Sequence, residues 1–215
     1  MKTIALEQAV ALIPDGASLM VGGFMGVGTP ERVIDELVRQ GKRDLTVIAN
    51  DTAMPGRGIG KLITAKAVRK AIVSHIGLNP ETQQKMNAGE MEVELVPQGT
   101  LIERIRAAGY GLGGILTPTG VGTLVEEGKR KLEVDGKQYL LETPLRADFA
   151  LVEAFMADYY GNLTYALTAR NFNPVIAMAA GTVMVDADHI VPVGMISPDN
   201  VATPAVLVDY IIAHE

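Results

Sequence analysis

Asn50 and Gln98 carry the side chains best suited to orienting a small acid. A neutral amide hydrogen-bonds a carboxylate or a developing oxyanion without adding a charge that must be desolvated. Taken singly, each is equally a turn-capping residue at a strand end. A second kind of chemistry belongs to Gly22-Gly23-Phe24-Met25-Gly26-Val27-Gly28, which follows the apolar run Ser18 to Val21 and precedes Thr29-Pro30-Glu31. Glycines bend tightly and let a ligand approach the backbone. Backbone N–H groups beside a helix start can hold an anion or a reacting carbonyl, although the same loop serves packing alone in many α/β proteins. It is not the dinucleotide fingerprint G-x-G-x-x-G, and no Gly-Lys-Ser/Thr follows to make a P-loop.

The other chemistry-bearing residues read as structural. His75 lies inside an apolar strand, His189 follows an acidic stretch and His214 is next to the end; none has metal-ligand spacing or triad partners. Glu126 and Glu127 are adjacent, so their carboxylates point apart on any regular element and belong to a solvated face. Arg170-Asn171-Phe172-Asn173 reads as a buried loop anchor with Arg170 pairing an acid, anion binding being its other use. The chain has no Cys, which removes disulfides, thiolate catalysis and Cys-based zinc sites together.

The elements that must position these residues follow from periodicity. Ile4 to Ile13 is an amphipathic helix, 18–23 a strand, and 30–40 a helix with Thr29 as N-cap and Pro30 at its first position. Leu45 to Asn50 is a continuous β-branched run, the pattern of a strand covered on both faces. A glycine-bearing loop over 53–60, a weak helix over 61–67, strand 70–76, a helix capped by Asn79-Pro80-Glu81, strand 92–96 and a helix opened by the capping box Thr100 to Glu103 come next. Gly109 to Gly128 is an ordered surface loop. Its literal G-x-G-x-x-G at 109, 111 and 114 follows a helix rather than a strand, and Pro118 blocks the helix that a dinucleotide site needs. Residues 131–141 form a hairpin turning at Asp135-Gly136, 148–152 and 163–165 are strands, 173–180 a helix and 182–185 a closing strand.

Alternating strands and helices predict an α/β fold: an open, mostly parallel sheet covered by helices on both faces, with a hairpin insertion, as one domain over 1–215. In such sheets ligands bind beyond the carboxyl ends of the strands, where Gly22-Gly23-Phe24, Asn50-Asp51 and Pro97-Gln98-Gly99 all fall. The 215 residues carry a net charge of −6 with no Lys/Arg block, which excludes a nucleic-acid footprint. No stretch approaches the ~20 apolar residues of a membrane span, and Glu7 and Gln8 interrupt any signal-peptide pattern, so a cytoplasmic location is expected. A mean hydropathy of +0.21 with 20% charged residues points to a surface partly covered by another subunit.

Asp15-Gly16 through Gly22 to Pro30, with Val96-Pro-Gln-Gly-Thr-Leu-Ile-Glu-Arg-Ile-Arg106, Thr117-Pro-Thr-Gly-Val-Gly-Thr123 and Ala169-Arg-Asn-Phe-Asn-Pro174, resembles the α subunit of family I CoA-transferases of the 3-oxoacid type, the acetate/acetoacetate group among them. The resemblance implies an α₂β₂ assembly with a β subunit, CoA as substrate, no permanently bound cofactor and no metal. It also implies ping-pong transfer of CoA between a short-chain acyl-CoA such as acetyl-CoA and a small carboxylate or 3-oxoacid such as acetoacetate, through a glutamyl-CoA thioester. The family's nucleophilic glutamate stands in a Ser-Glu-Asn-Gly context on the β subunit. Nothing here matches that context, Glu90 in Ala-Gly-Glu-Met included, so no catalytic nucleophile is expected in this chain. By motif position Asn50 and Gln98 resemble the residues lining the substrate carboxylate pocket, and Gly22, Gly23, Phe24, Met25, Gly26, Val27 and Gly28 the segment assigned to CoA contact. Two other readings of such a fold stay open at this point: a non-catalytic protein binding acyl-CoA or a sugar phosphate, and a sugar-phosphate isomerase acting without a partner.

Overall fold

A computed structural model describes residues 3–214. In chain order the elements are β1 (Thr3–Ile4), α1 (Leu6–Ala11), β2 (Ser18–Val21), α2 (Glu31–Arg39), β3 (Leu45–Asp51), α3 (Gly60–Thr64), β4 (Val68–His75), α4 (Pro80–Asn87), β5 (Glu92–Leu95) and α5 (Gln98–Gly109). They continue as β6 (Ile115–Thr117), β7 (Lys131–Val134), β8 (Lys137–Glu142), β9 (Ala147–Asp158), β10 (Leu163–Thr164), α6 (Asn173–Ile176), β11 (Ala180–Val191) and β12 (Tyr210–Ile212). The main sheet runs β1-β12-β11-β9-β2-β3-β4-β5, with β10 paired antiparallel to β9 and every other neighbouring pair parallel. A separate antiparallel sheet, β6-β8-β7, is built on the expected hairpin.

Alternation along the central strands makes two cores. Leu19 and Val21 of β2, Val47 and Ala49 of β3, and Ala71 and Val73 of β4 pack on one face with Val10 of α1, Ile34 and Leu37 of α2 and Leu62 of α3. Met20, Ile48 and Ile72 point the other way, onto Leu101 and Ile105 of α5 and Ile176 of α6. Successive side chains of a strand face opposite sides, so a strand apolar at every position is one covered twice. No helix among the described residues is long and apolar enough to cross a membrane.

Several local expectations are corrected. The first helix spans only Leu6–Ala11, because Thr3 and Ile4 pair with Ile211 and Ile212 and join the sheet edge. Thr29 does not cap α2: its hydroxyl donates to the Gly22 carbonyl at 3.0 Å, and Pro30 stands at the N-cap with no side-chain bond. The capping box at Thr100 is overridden as well, since α5 already begins at Gln98. The 109–128 loop contains β6, which finds an antiparallel partner in β8. Strands β9 and β11 extend to 12 residues each, beyond the expected 148–152 and 182–185, and β11 starts at Ala180, which leaves the helix at 173 only four residues.

Candidate active site

Strands β2, β3 and β4 end side by side, and their carboxyl ends deliver the loops that make the site. A cavity of about 270 Å³ opens there, lined by Phe24, Met25, Asn50, Asp51, Ser74, His75, Leu78 and Gln98. Asn50 and Asp51 are the last residues of β3 and are 2% and 6% exposed. Gln98, first residue of α5, stands exposed at the rim. The two amides that the sequence singles out are in contact: Gln98 Nε2 donates to Asn50 Oδ1 at 2.6 Å. Asn50 Nδ2 donates to Asp51 Oδ2 at 2.7 Å, and Ser74 Oγ donates to the Asn50 carbonyl at 2.7 Å. The loop after β3 is tied to α4, where Asn79 Nδ2 donates to the Thr52 carbonyl at 3.0 Å while Asn79 Oδ1 caps Thr82 N at 3.2 Å, as the Asn-Pro-Glu signal predicts.

The glycine loop is a rigid floor rather than an open amide cradle. Phe24 and Val27 exchange both backbone hydrogen bonds at 2.9 Å across Met25 and Gly26, whose φ angles of 51° and 82° make a tight turn. Gly22 N donates to the Leu151 carbonyl, Gly23 N to Asn171 Oδ1 and Met25 N to Asp51 Oδ2. Most of the loop's donors are therefore used within the protein, and it offers the cavity Phe24 and Met25 instead. Gly23 has a φ of +119°, and a Cβ there would sit 2.0 Å from Thr29 Oγ1; one at Gly22 would sit 1.8 Å from Asn173 Oδ1. Those approaches require glycine.

The Arg170 to Asn173 motif anchors the loop, as its sequence suggests, through its two asparagines. Asn171 Nδ2 donates to the Val27 carbonyl at 3.1 Å and Asn173 Nδ2 to the Gly28 carbonyl at 2.9 Å. Arg170 departs from expectation: it is exposed and forms no ion pair among the described residues. Behind the loop, Glu153 N donates to Asn173 Oδ1 at 3.0 Å, and the Glu153 carboxyl faces Asp186 and Asp188 across a hollow of about 230 Å³. Burial, and then the repulsion of Asp188 and Asp186, pushes that carboxyl up to about 7.

His75 does not lie inside its strand as the apolar run predicts: it is the last residue of β4, exposed, and part of the cavity wall. Ser74 and Leu78 join it. Position at a strand's carboxyl end was the signal for all three, hidden by an apolar run that made the strand look one residue longer. His189 stacks edge-on against Phe155, and His214 bonds the Ala187 carbonyl, both away from the cavity. Glu126 bonds Lys131 and Gly122 N, and Glu90 lies near Lys66 at 3.9 Å; neither reaches the site. Among the described residues no group of three or more His, Asp or Glu side chains is placed to hold a metal ion.

Residues 3–214 match the coenzyme A transferase family. The chain is 57% identical over 214 residues to the acetate CoA-transferase subunit alpha of Escherichia coli (strain K12), covering 100% of this chain and 97% of that one. It is 50% identical over 211 residues to the acetoacetyl-CoA:acetate/butyrate CoA transferase alpha subunit of Clostridium acetobutylicum, covering 98% of this chain and 97% of that one. Among solved structures, the acyl-CoA transferase of Escherichia coli O157:H7 superimposes with a TM-score of 0.84 at 27% identity, over 99% of this chain and 46% of that one. This chain thus spans about half the length of that enzyme. Carrying the family's pattern from its first strand to its last, the chain belongs to the coenzyme A transferase family.

Proposed function

We propose that this chain is the α subunit of a heteromeric CoA-transferase that moves CoA between a short-chain acyl-CoA, such as acetyl-CoA, and a short-chain carboxylate or 3-oxoacid, such as acetoacetate. One observation carries the reading. The cavity at the sheet's carboxyl edge has an amide pair and apolar walls, while Asp51, the one carboxylate in its lining, commits both oxygens to donors of this chain. Such a site can hold and polarise an acyl group but offers no uncommitted carboxylate to attack it, and a β-subunit glutamate completes it. That carboxylate attacks the thioester carbonyl, the CoA thiolate leaves, and the thiolate then attacks the resulting anhydride at the glutamyl carbonyl. This releases the first acid and leaves a glutamyl-CoA thioester, from which a second acid takes CoA by the reverse steps. Each addition builds negative charge on a carbonyl oxygen, and a positioned donor such as Gln98, held by its bond to Asn50, is worth several kcal/mol there.

Phe24, Met25, Gly26 and Val27 are assigned to contact with CoA and the acyl chain, while the buried Gly22 and Gly23, with Gly28, hold the loop's shape. A cavity near 270 Å³ with Phe24, Met25 and Leu78 in its wall favours small acids. Both cores share the one main sheet, which supports reading 1–215 as a single domain, and the acidic composition is in keeping with the proposed cytoplasmic location. The test is transfer from acetyl-CoA to acetoacetate by this chain alone and in complex with its β-type partner. Activity is expected only in the complex, is abolished by borohydride reduction of a thioester on the partner, and falls about 10- to 100-fold in Gln98→Ala. Activity in the chain alone would overturn the shared site.

A further inference from the structure

We propose that Asp51 is a positioning residue that fixes which way round the amides of Asn50 and Gln98 stand. The inference rests on the reading of that pair as substrate-facing. The two ends of an amide side chain have nearly the same shape, and half a turn exchanges oxygen for NH₂. Something must set the choice. A carboxylate only accepts, and Asp51 takes three N–H groups: Asn50 Nδ2 at 2.7 Å, Met25 N at 2.9 Å and Ala53 N at 2.7 Å. Asn50 must therefore turn its NH₂ toward Asp51 and its oxygen the other way. Gln98, meeting that oxygen at 2.6 Å, must present nitrogen. The chain of bonds runs in one direction, Gln98 to Asn50 to Asp51, and its direction is set by the residue that cannot donate.

The consequence reaches the cavity. Gln98 Nε2 gives one hydrogen to Asn50 and keeps a second with no partner among the described residues, available to an anionic oxygen. In the inverted chain the same position is a carbonyl oxygen, which repels that charge. Asp51 is nearly fully buried, and Met25 N bonds the same Oδ2 as Asn50, so the tip of the glycine turn and the amide pair are held by one atom. Replacing that carboxylate with a carboxamide weakens the rule: the new NH₂ must stand against the N–H of either Ala53 or Met25, and in the second setting it donates to Asn50 and inverts the chain.

The test uses the assembled complex with acetyl-CoA and acetoacetate, comparing Asp51→Asn, Gln98→Ala and the double variant. Asp51→Asn is expected to lower kcat about 10- to 100-fold with KM changed less than about twofold. In the Gln98→Ala background the same substitution should cost no more than about twofold, since it acts through an amide no longer present. Additive losses, or full activity in Asp51→Asn, would overturn the proposal. A second readout does not depend on activity: with the chain labelled at glutamine nitrogen, the Gln98 NH₂ signals are identified by their loss in Gln98→Ala. One pair of signals is expected in the wild type and altered or doubled signals in Asp51→Asn; unchanged signals would overturn the proposal. Full activity in Gln98→Ala together with altered signals in Asp51→Asn would instead remove the substrate reading and keep the control of orientation. If Asp51→Asn fails to assemble, the wild type decides alone, one signal pair supporting the proposal and two exchanging pairs overturning it.

Discussion

Glu153 illustrates a half-buried carboxyl with acids rather than cations for neighbours. Its Oε2 is buried without a partner among the described residues, whereas Asp186 nearby is paired with Arg32 at 2.9 Å. The Glu153 carboxyl titrates near 7 in the folded chain against an ordinary 4.5, through burial first and then Asp188 and Asp186. Because the folded form holds its proton more tightly than the unfolded one, the stabilising contribution is complete below about 4.5 and is lost as pH rises through about 7. Glu153→Gln should therefore be more stable than the wild type at pH 8 by about 1 kcal/mol, a figure reduced for the group's partial exposure, and should match it near pH 4.5. Thermal midpoints of both proteins across that range check this, and parallel curves would refute it. At this scale the sequence was half legible. The convergence of Asn50 and Gln98 at one sheet edge was legible, because amides following two parallel strands are chemically conspicuous. The work of Asp51, Ser74, His75 and Leu78 was not, because it depends on which neighbour each side chain meets across the sheet edge.

Elements were legible where their signals are local and unopposed. Asn79-Pro80-Glu81 opens α4 as its residues say, with the fully buried Asn79 serving both Thr82 N and the Thr52 carbonyl. Asn79→Ala removes a cap and orphans a carbonyl, so it should cost about 2 kcal/mol, measured as a lower denaturation midpoint at unchanged slope. Thr29 and the Thr100 box carry comparable local signals that failed, the first because the Gly22 carbonyl competes for its hydroxyl, the second because α5 starts at Gln98, within reach of Asn50. Strands β9 and β11 were read short because Glu153, Asp186 and Asp188 break the apolar run, although parallel pairing from Ala147↔Ala180 to Asp158↔Val191 carries both strands through. Period reports the face a residue turns to; ladder partners report how far the strand goes.

For the whole molecule, alternation of strand and helix was enough to foresee a doubly covered parallel sheet, but not its order. Pairing of Thr3 with Ile211 joins segments nearly a chain length apart, and no local pattern encodes it. Strand β12 lies between β11 and β1, so deleting residues from 210 onward removes the partner of both. The truncated chain is expected to lose its cooperative unfolding transition, as seen by circular dichroism; a sharp transition would show that the edge is dispensable. The same arrangement constrains the ribosome's product in time. Thr3 and Ile4 are made long before 210–212, yet their place in the sheet does not exist until those later residues have emerged and docked on β11. While the residues between them are made, Thr3 and Ile4 wait without their strand partner, and this edge of the sheet can close only after 210–212 are synthesised.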